Sequence, residues 1–263
     1  MRRNNRLSGL TFAILGASLT GGVAGCDALQ PGGALLYVFS THHATPEDGA
    51  FPDRGGDEQP RVFQTDEDWT ITLVEAFITI EQITLVSCGG REIPLDMFWG
   101  PCPEDLRIED LQTLTVAGNK VDPAEYCELV VDYGNYRTPE IDPGAADTRH
   151  ETPDNPAVDG ATVYLRGAAA RAGDETQIPF ELRGEGTRSL RLDLSEVEGG
   201  RPLRIDHTED FPKMLTISKT YDRFLDGVDF EDFDEHEIES DLDAVLAAET
   251  RVQIDQQVVI DPP

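Results

Sequence analysis

The chain has 263 residues, with 51 Asp and Glu against 21 Lys and Arg, a formal charge of −30 and an isoelectric point near 4.3. Nucleic acid binds through cationic patches that release counterions, and such a composition excludes it as a partner. Apolar residues make up 39% of the chain, enough for a core, which excludes global disorder.

Arg2, Arg3 and Arg6 open the chain, Leu10 to Leu19 form a short apolar run, and small residues follow. This is the pattern of an export signal, too short to span a bilayer as a helix. It ends in Val23-Ala24-Gly25-Cys26, which resembles the lipobox of bacterial lipoproteins. The resemblance implies that residues 1–25 are a signal peptide, that the Cys26 thiol carries acyl chains, and that residues 26–33 tether a domain to the lipid bilayer. Asp27 resembles the inner-membrane retention signal of enteric lipoproteins. That rule differs between bacterial lineages, so inner and outer membrane both stay open. Removing Arg2, Arg3 and Arg6 leaves 18 bases against 51 acids, a mature charge of −33. Anionic phospholipid repels such a chain. Attachment then rests on acyl chains, at about 0.8 kcal/mol per buried CH₂.

Beyond the tether, alternating or short apolar runs predict strands at Ala34 to Phe39, Thr70 to Ile80, Ile83 to Cys88, Ile93 to Phe98, Leu114 to Ala117 and Tyr126 to Tyr133. Further strands are predicted at Ala161 to Gly167, Gln177 to Leu182, Ser189 to Leu194, Leu203 to Asp206 and Met214 to Thr220. Many short strands with frequent turn residues predict an all-β fold, an antiparallel Greek-key-like β-sandwich formed by 34–263 as a single domain. Two acidic stretches, 41–68 and 138–160, read as long loops within it. Between Glu235 and Glu249, Ile238, Leu242, Val245 and Leu246 line one face of a C-terminal amphipathic helix that Asp234 can N-cap.

With Cys26 assigned to lipid, Cys88, Cys102 and Cys127 remain. An oxidising compartment pairs two of them. Cys88 ends an apolar run and Cys102 lies in a turn-rich segment, which makes Cys88–Cys102 the first choice and Cys88–Cys127 the alternative. Cys127 alternates with Leu129, Val131 and Tyr133 and reads as inward-facing.

No dinucleotide fingerprint, P-loop or nucleophile elbow is present, and no CxxC occurs. The histidines fall in polar segments, and His42 or His43 with His150 or His207 are candidate ligands for copper or zinc. Asp226, Asp229, Glu231 and Asp232 form a candidate acidic cation site for calcium, although Val228 and Phe230 break the EF-hand spacing. A carboxylate-based hydrolase needs only two acids, and this chain has dozens.

The run Ala161 to Asp193, followed by Leu225-Asp226-Gly227-Val228-Asp229-Phe230, resembles the C-terminal half of exported β-sandwich proteins related to methanobactin-associated copper-binding partners. The resemblance implies a sandwich and, beyond it, metal binding. The sequence thus points to a membrane-anchored exported lipoprotein, a binding or interaction module of the cell envelope with a protein partner there. The alternatives are a metal-binding accessory lipoprotein and a hydrolase. Only Lys120, Lys213 and Lys219 are lysines, and so acidic a surface also suits a saline medium.

Overall fold

The computed structural model describes residues 33–46, 59–98, 100–137, 155–171, 173–206 and 212–254, without the side chains of 236, 237 and 240. Its strands form two sheets. The first runs β14 (Thr250–Ile254), β13 (Lys213–Thr220), β1 (Ala34–His43), β7 (Leu114–Val121), β5 (Asp96–Met97). The second runs β10 (Ile178–Gly184), β9 (Val163–Arg171), β3 (Trp69–Ser87), β8 (Ala124–Tyr133), β11 (Arg188–Asp193). In that sheet β2 (Arg61–Gln64), β4 (Glu92–Pro94) and β6 (Cys102–Asp105) pair with β3, and β12 (Leu203–Ile205) pairs with β8.

Leu36 and Val38 of β1, Ile71 and Ile78 of β3, Leu129 of β8 and Ile217 of β13 are fully buried in one hydrophobic cluster. That is a sandwich core, in which alternate residues of both sheets point at one another. Among the described strands the pairing is antiparallel with one exception. β1 and β13 are parallel, from Leu36 opposite Lys213 to His43 opposite Thr220.

The two strands predicted on either side of Glu81 are one 19-residue strand, β3. Register shifts at 73–75 and 80–82 each move the inward parity by one residue, so Ile71 and Leu73, then Ala76, Ile78 and Ile80, then Ile83 and Leu85 all face the core. A bulge produces that shift, and in a sequence it imitates a strand break. β9 is registered with Trp69–Ile78 of β3 and β8 with Ile80–Ser87, so the two follow one another along it. Their junction is covered by a satellite cluster of Phe77, Tyr136, Val158, Ala161 and Tyr164.

The helix α1 (Glu235–Glu249) packs Leu242 and Leu246 into the core, with Ile238 and Val245 half-buried beside them. It is not the last element, because β14 follows and pairs with β13.

The disulfide corrects the first choice made from the sequence. Cys88 is bonded to Cys127, with 4.8 Å between their Cα atoms, and Cys102 is a buried free thiol. β6 carries Cys102 to a position opposite Ile80, whereas Cys88 follows the far end of β3, where its N–H donates to Glu125 O. The partners are neighbours within one sheet, and do not face each other across the sandwich. A register shift on β8 explains the misread face of Cys127: Ser87 opposes Tyr126 and Val86 opposes Glu128, so Tyr126 is the buried residue there and Cys127 is half-buried.

Candidate functional site

The inward parity of β1 runs Ala34, Leu36, Val38 and then continues into Ser40 and His42, both fully buried. β13 matches it with Leu215, Ile217 and then Lys219, also fully buried. Because the strands are parallel and in register, His42 and Lys219 are direct neighbours. From the opposite sheet, β6 turns Cys102 and Glu104 inward, with Glu104 opposite Ile78 of β3.

These side chains close a polar cluster in the core. Lys219 Nζ lies 2.8 Å from Glu104 Oε2 and donates to Ser40 Oγ at 2.6 Å, while Ser40 donates to the same carboxylate oxygen at 2.6 Å. His42 Nδ1 is 3.0 Å from Glu104 Oε1, and its Nε2 is 3.2 Å from the Ile108 carbonyl. Both ring nitrogens are thus engaged. Burial by itself raises the pKa of Glu104. The Lys219 ammonium and the hydrogen bond and charge of His42 outweigh it and bring the value down to about 2. Burial, reinforced by the Glu104 charge, pushes the Cys102 thiol up to about 12.

A second buried pair adjoins the first. Arg61 Nη2 donates to the Arg107 carbonyl at 2.7 Å and to the Ile108 carbonyl, and it lies 3.9 Å from Asp110 Oδ1. Asp110 Oδ2 accepts from Ala44 N–H at 3.2 Å, and burial raises its pKa. Glu104 and Asp110 are the buried carboxylates among the described residues.

Chemically the cluster is sealed. Ser40, His42, Glu104 and Lys219 are at most 1% exposed, and the Ser40 hydroxyl is bound to Glu104 and Lys219, not to an imidazole base. Substrate has no access to a nucleophile or to a carboxylate pair there. The arrangement does link the two sheets through charge-assisted hydrogen bonds, which are stronger than neutral ones.

The metal candidates do not assemble among the described residues. His42 and His43 lie in β1, not in the loop where the sequence placed them, and successive strand residues point to opposite faces. His42 has both nitrogens engaged, and His43 Nδ1 is 2.8 Å from the Ala44 carbonyl. His150, His207 and Cys26 lie outside the described residues. Among the described residues no three His, Cys, Asp or Glu side chains gather as a metal-ligand set.

The acidic segment is used as turn chemistry. Asp229 accepts from Glu231 N–H at 3.0 Å, Asp226 accepts from Asp66 N–H at 3.2 Å, and Arg171 lies 3.7 Å from Asp229 and 3.9 Å from Glu231. Asp232, exposed, follows in the same 3₁₀ turn. Between the acids, Phe230 packs on Trp69 and Phe180 at ring separations of 5.4 and 4.9 Å.

No family model matches the chain, and no curated protein matches it. Among solved structures, MbnP from Methylosinus trichosporium is similar at 12% identity and a TM-score of 0.34, over 70% of this chain and 76% of that one. A likeness at that level transfers no residue role.

Sequence reading missed Ser40, Glu104 and Lys219. The available signal was a polar residue continuing an apolar alternation, as Lys219 does after Leu215 and Ile217. The cluster has a consequence in acid. Glu104 titrates near 4.5 in the unfolded chain and near 2 in the fold, so its stabilisation is complete above about pH 4.5 and is lost as pH falls through 2. Asp110, raised by burial, acts in the opposite sense. Urea midpoints are expected to fall as pH drops below 4.5, and to fall less steeply in Glu104→Gln. Equal slopes in the two proteins would contradict this assignment.

Proposed function

We propose that this chain is an exported lipoprotein, held on the cell envelope by acyl chains on Cys26, and that its rigid sandwich serves as a binding or interaction module for an envelope protein without catalysing a reaction. The allotment of cysteines carries the reading. Cys88 and Cys127 are bonded and Cys102 is fully buried, which leaves Cys26 of the lipobox as the thiol for modification. A disulfide between neighbouring strands suits an oxidising compartment. Among the described residues no helix is long and apolar enough to cross a membrane, and a mature charge of −33 gives no electrostatic attraction to anionic lipid. Acyl chains supply what the surface does not.

In a bacterial host that processes lipoproteins, the wild-type chain is expected in the membrane fraction and Cys26→Ser in the soluble fraction. Cys26→Ser retained on membranes after an alkaline carbonate wash would sink the reading. Cross-linking in intact envelopes is expected to trap a protein partner that the Cys26→Ser form loses.

A further inference from the structure

The outer face of the five-stranded sheet is not uniform. At the C-terminal end of β1 it is closed, with Thr41, His43 and Ser218 buried. At the N-terminal end it is open and apolar: Leu35 is 48% exposed and Phe98, just past β5, is 46% exposed. Tyr37 lies between them, its ring 6.1 Å from that of Phe98. Gly118 of β7 is the floor under both rings, since a Cβ there would come within 2.7 Å of Tyr37 and 3.1 Å of Phe98. Lys120 stands directly opposite Leu35 on the same face.

This patch lies where the tether joins the fold. Gly33 has φ of +92°, and a Cβ on it would sit 2.2 Å from the Val121 carbonyl, so the chain enters β1 pressed against the end of β7. Leu35 is two residues further on. The seven links from Cys26 to Gly33 reach at most about 25 Å. The nearby charges also balance. Lys120 and Arg91 stand against Asp96 and Asp122, with Arg91 and Asp122 paired at 3.1 Å. On a chain of −33, that rim is one that anionic headgroups do not repel.

We infer that the Leu35–Tyr37–Phe98 face rests on the phospholipid bilayer, so that the acyl anchor and this patch together set the orientation of the sandwich on the membrane. The inference rests on the lipoprotein reading. Aromatic and apolar groups beside a cation are the chemistry that settles at a membrane interface.

The test uses the full-length lipidated protein in vesicles of phosphatidylethanolamine and phosphatidylglycerol, with a nitroxide attached at Leu35→Cys, at Phe98→Cys or at Val62→Cys. The last position is exposed on the other sheet. The native cysteines do not compete, being acylated, bonded or buried. Labels at 35 and 98 are expected to collide several-fold less with an aqueous nickel chelate, and more with oxygen, than the label at 62. Equal exposure of all three to the chelate, in protein that floats with the vesicles, overturns the orientation and leaves the anchor standing. Failure to float overturns the anchor itself. Labels at 35 and 98 shielded from both quenchers mean that protein covers the face, a second copy or a segment of this chain, and that also overturns the inference.

Discussion

Glu104→Ala is expected to destabilise the fold by about 3–5 kcal/mol, the usual cost of removing one member of a buried ion pair. The carboxylate is the common partner of Lys219, Ser40 and His42, none of them more than 1% exposed. Without it the Lys219 ammonium, beside His42 on the neighbouring strand, stays buried with its carboxylate partner gone. For a domain of this size the loss is equivalent to a fall in melting temperature of about 6–10 °C. The double variant Glu104→Leu/Lys219→Met removes both charges, and His42 then needs only one N–H, donated to the Ile108 carbonyl. It is expected to recover much of the single variant's loss, since apolar replacement of a whole buried pair is often neutral. Urea unfolding of the two variants decides the matter. A single variant within about 1 kcal/mol of wild type would show that water reaches the cluster and that its charges are solvated.

Cys88→Ala/Cys127→Ala is expected to cost about 4 kcal/mol, the loop-closure entropy released when a crosslink spanning 39 residues is removed. The bond joins the end of β3 to the bulge on β8, so it closes a loop containing β4, β5, β6 and β7. These strands belong to both sheets, and the crosslink restrains them together in the unfolded chain. Chemical unfolding with and without reductant measures the effect, with Cys102→Ala as the control that keeps the bond. If reduction left the wild-type midpoint unchanged, the crosslink would contribute nothing and the Cys26 argument would lose its support from compartment.

The local part of the fold was readable because burial alternates with the strand period. Leu36 and Val38, Ile83 and Leu85, Leu215 and Ile217 all face inward as their alternation implies. The helix stripe of Leu242 and Leu246 was equally plain. Ser40 and His42 are polar, so the predicted strand stops at Phe39 and the predicted loop takes in His42, although both residues prolong the inward series of β1. β6 was hidden by Pro101 and Pro103, which mark turns in a sequence. Pro is tolerated in a strand where its missing N–H is not needed by the ladder. In the acidic run after Asp222, Phe224 and Phe230 are buried and Phe233 is half-buried.

What the amino-acid pattern alone determined is the strand content, the helix stripe and the excess of acid, because each depends on composition or on neighbours a few positions apart. The tertiary structure alone decided which strands pair. The parallel placement of β1 beside β13 brings His42 to Lys219 across more than half the chain, and the path of β3 separates Cys88 from Cys102 and delivers it to Cys127. Pairing partners are chosen by packing between segments distant in sequence, and a bulge moves every later side chain to the other face. A charge of −30 could therefore be counted from the composition, whereas the burial of Glu104, Asp110, Arg61 and Lys219 at the centre of the molecule could not.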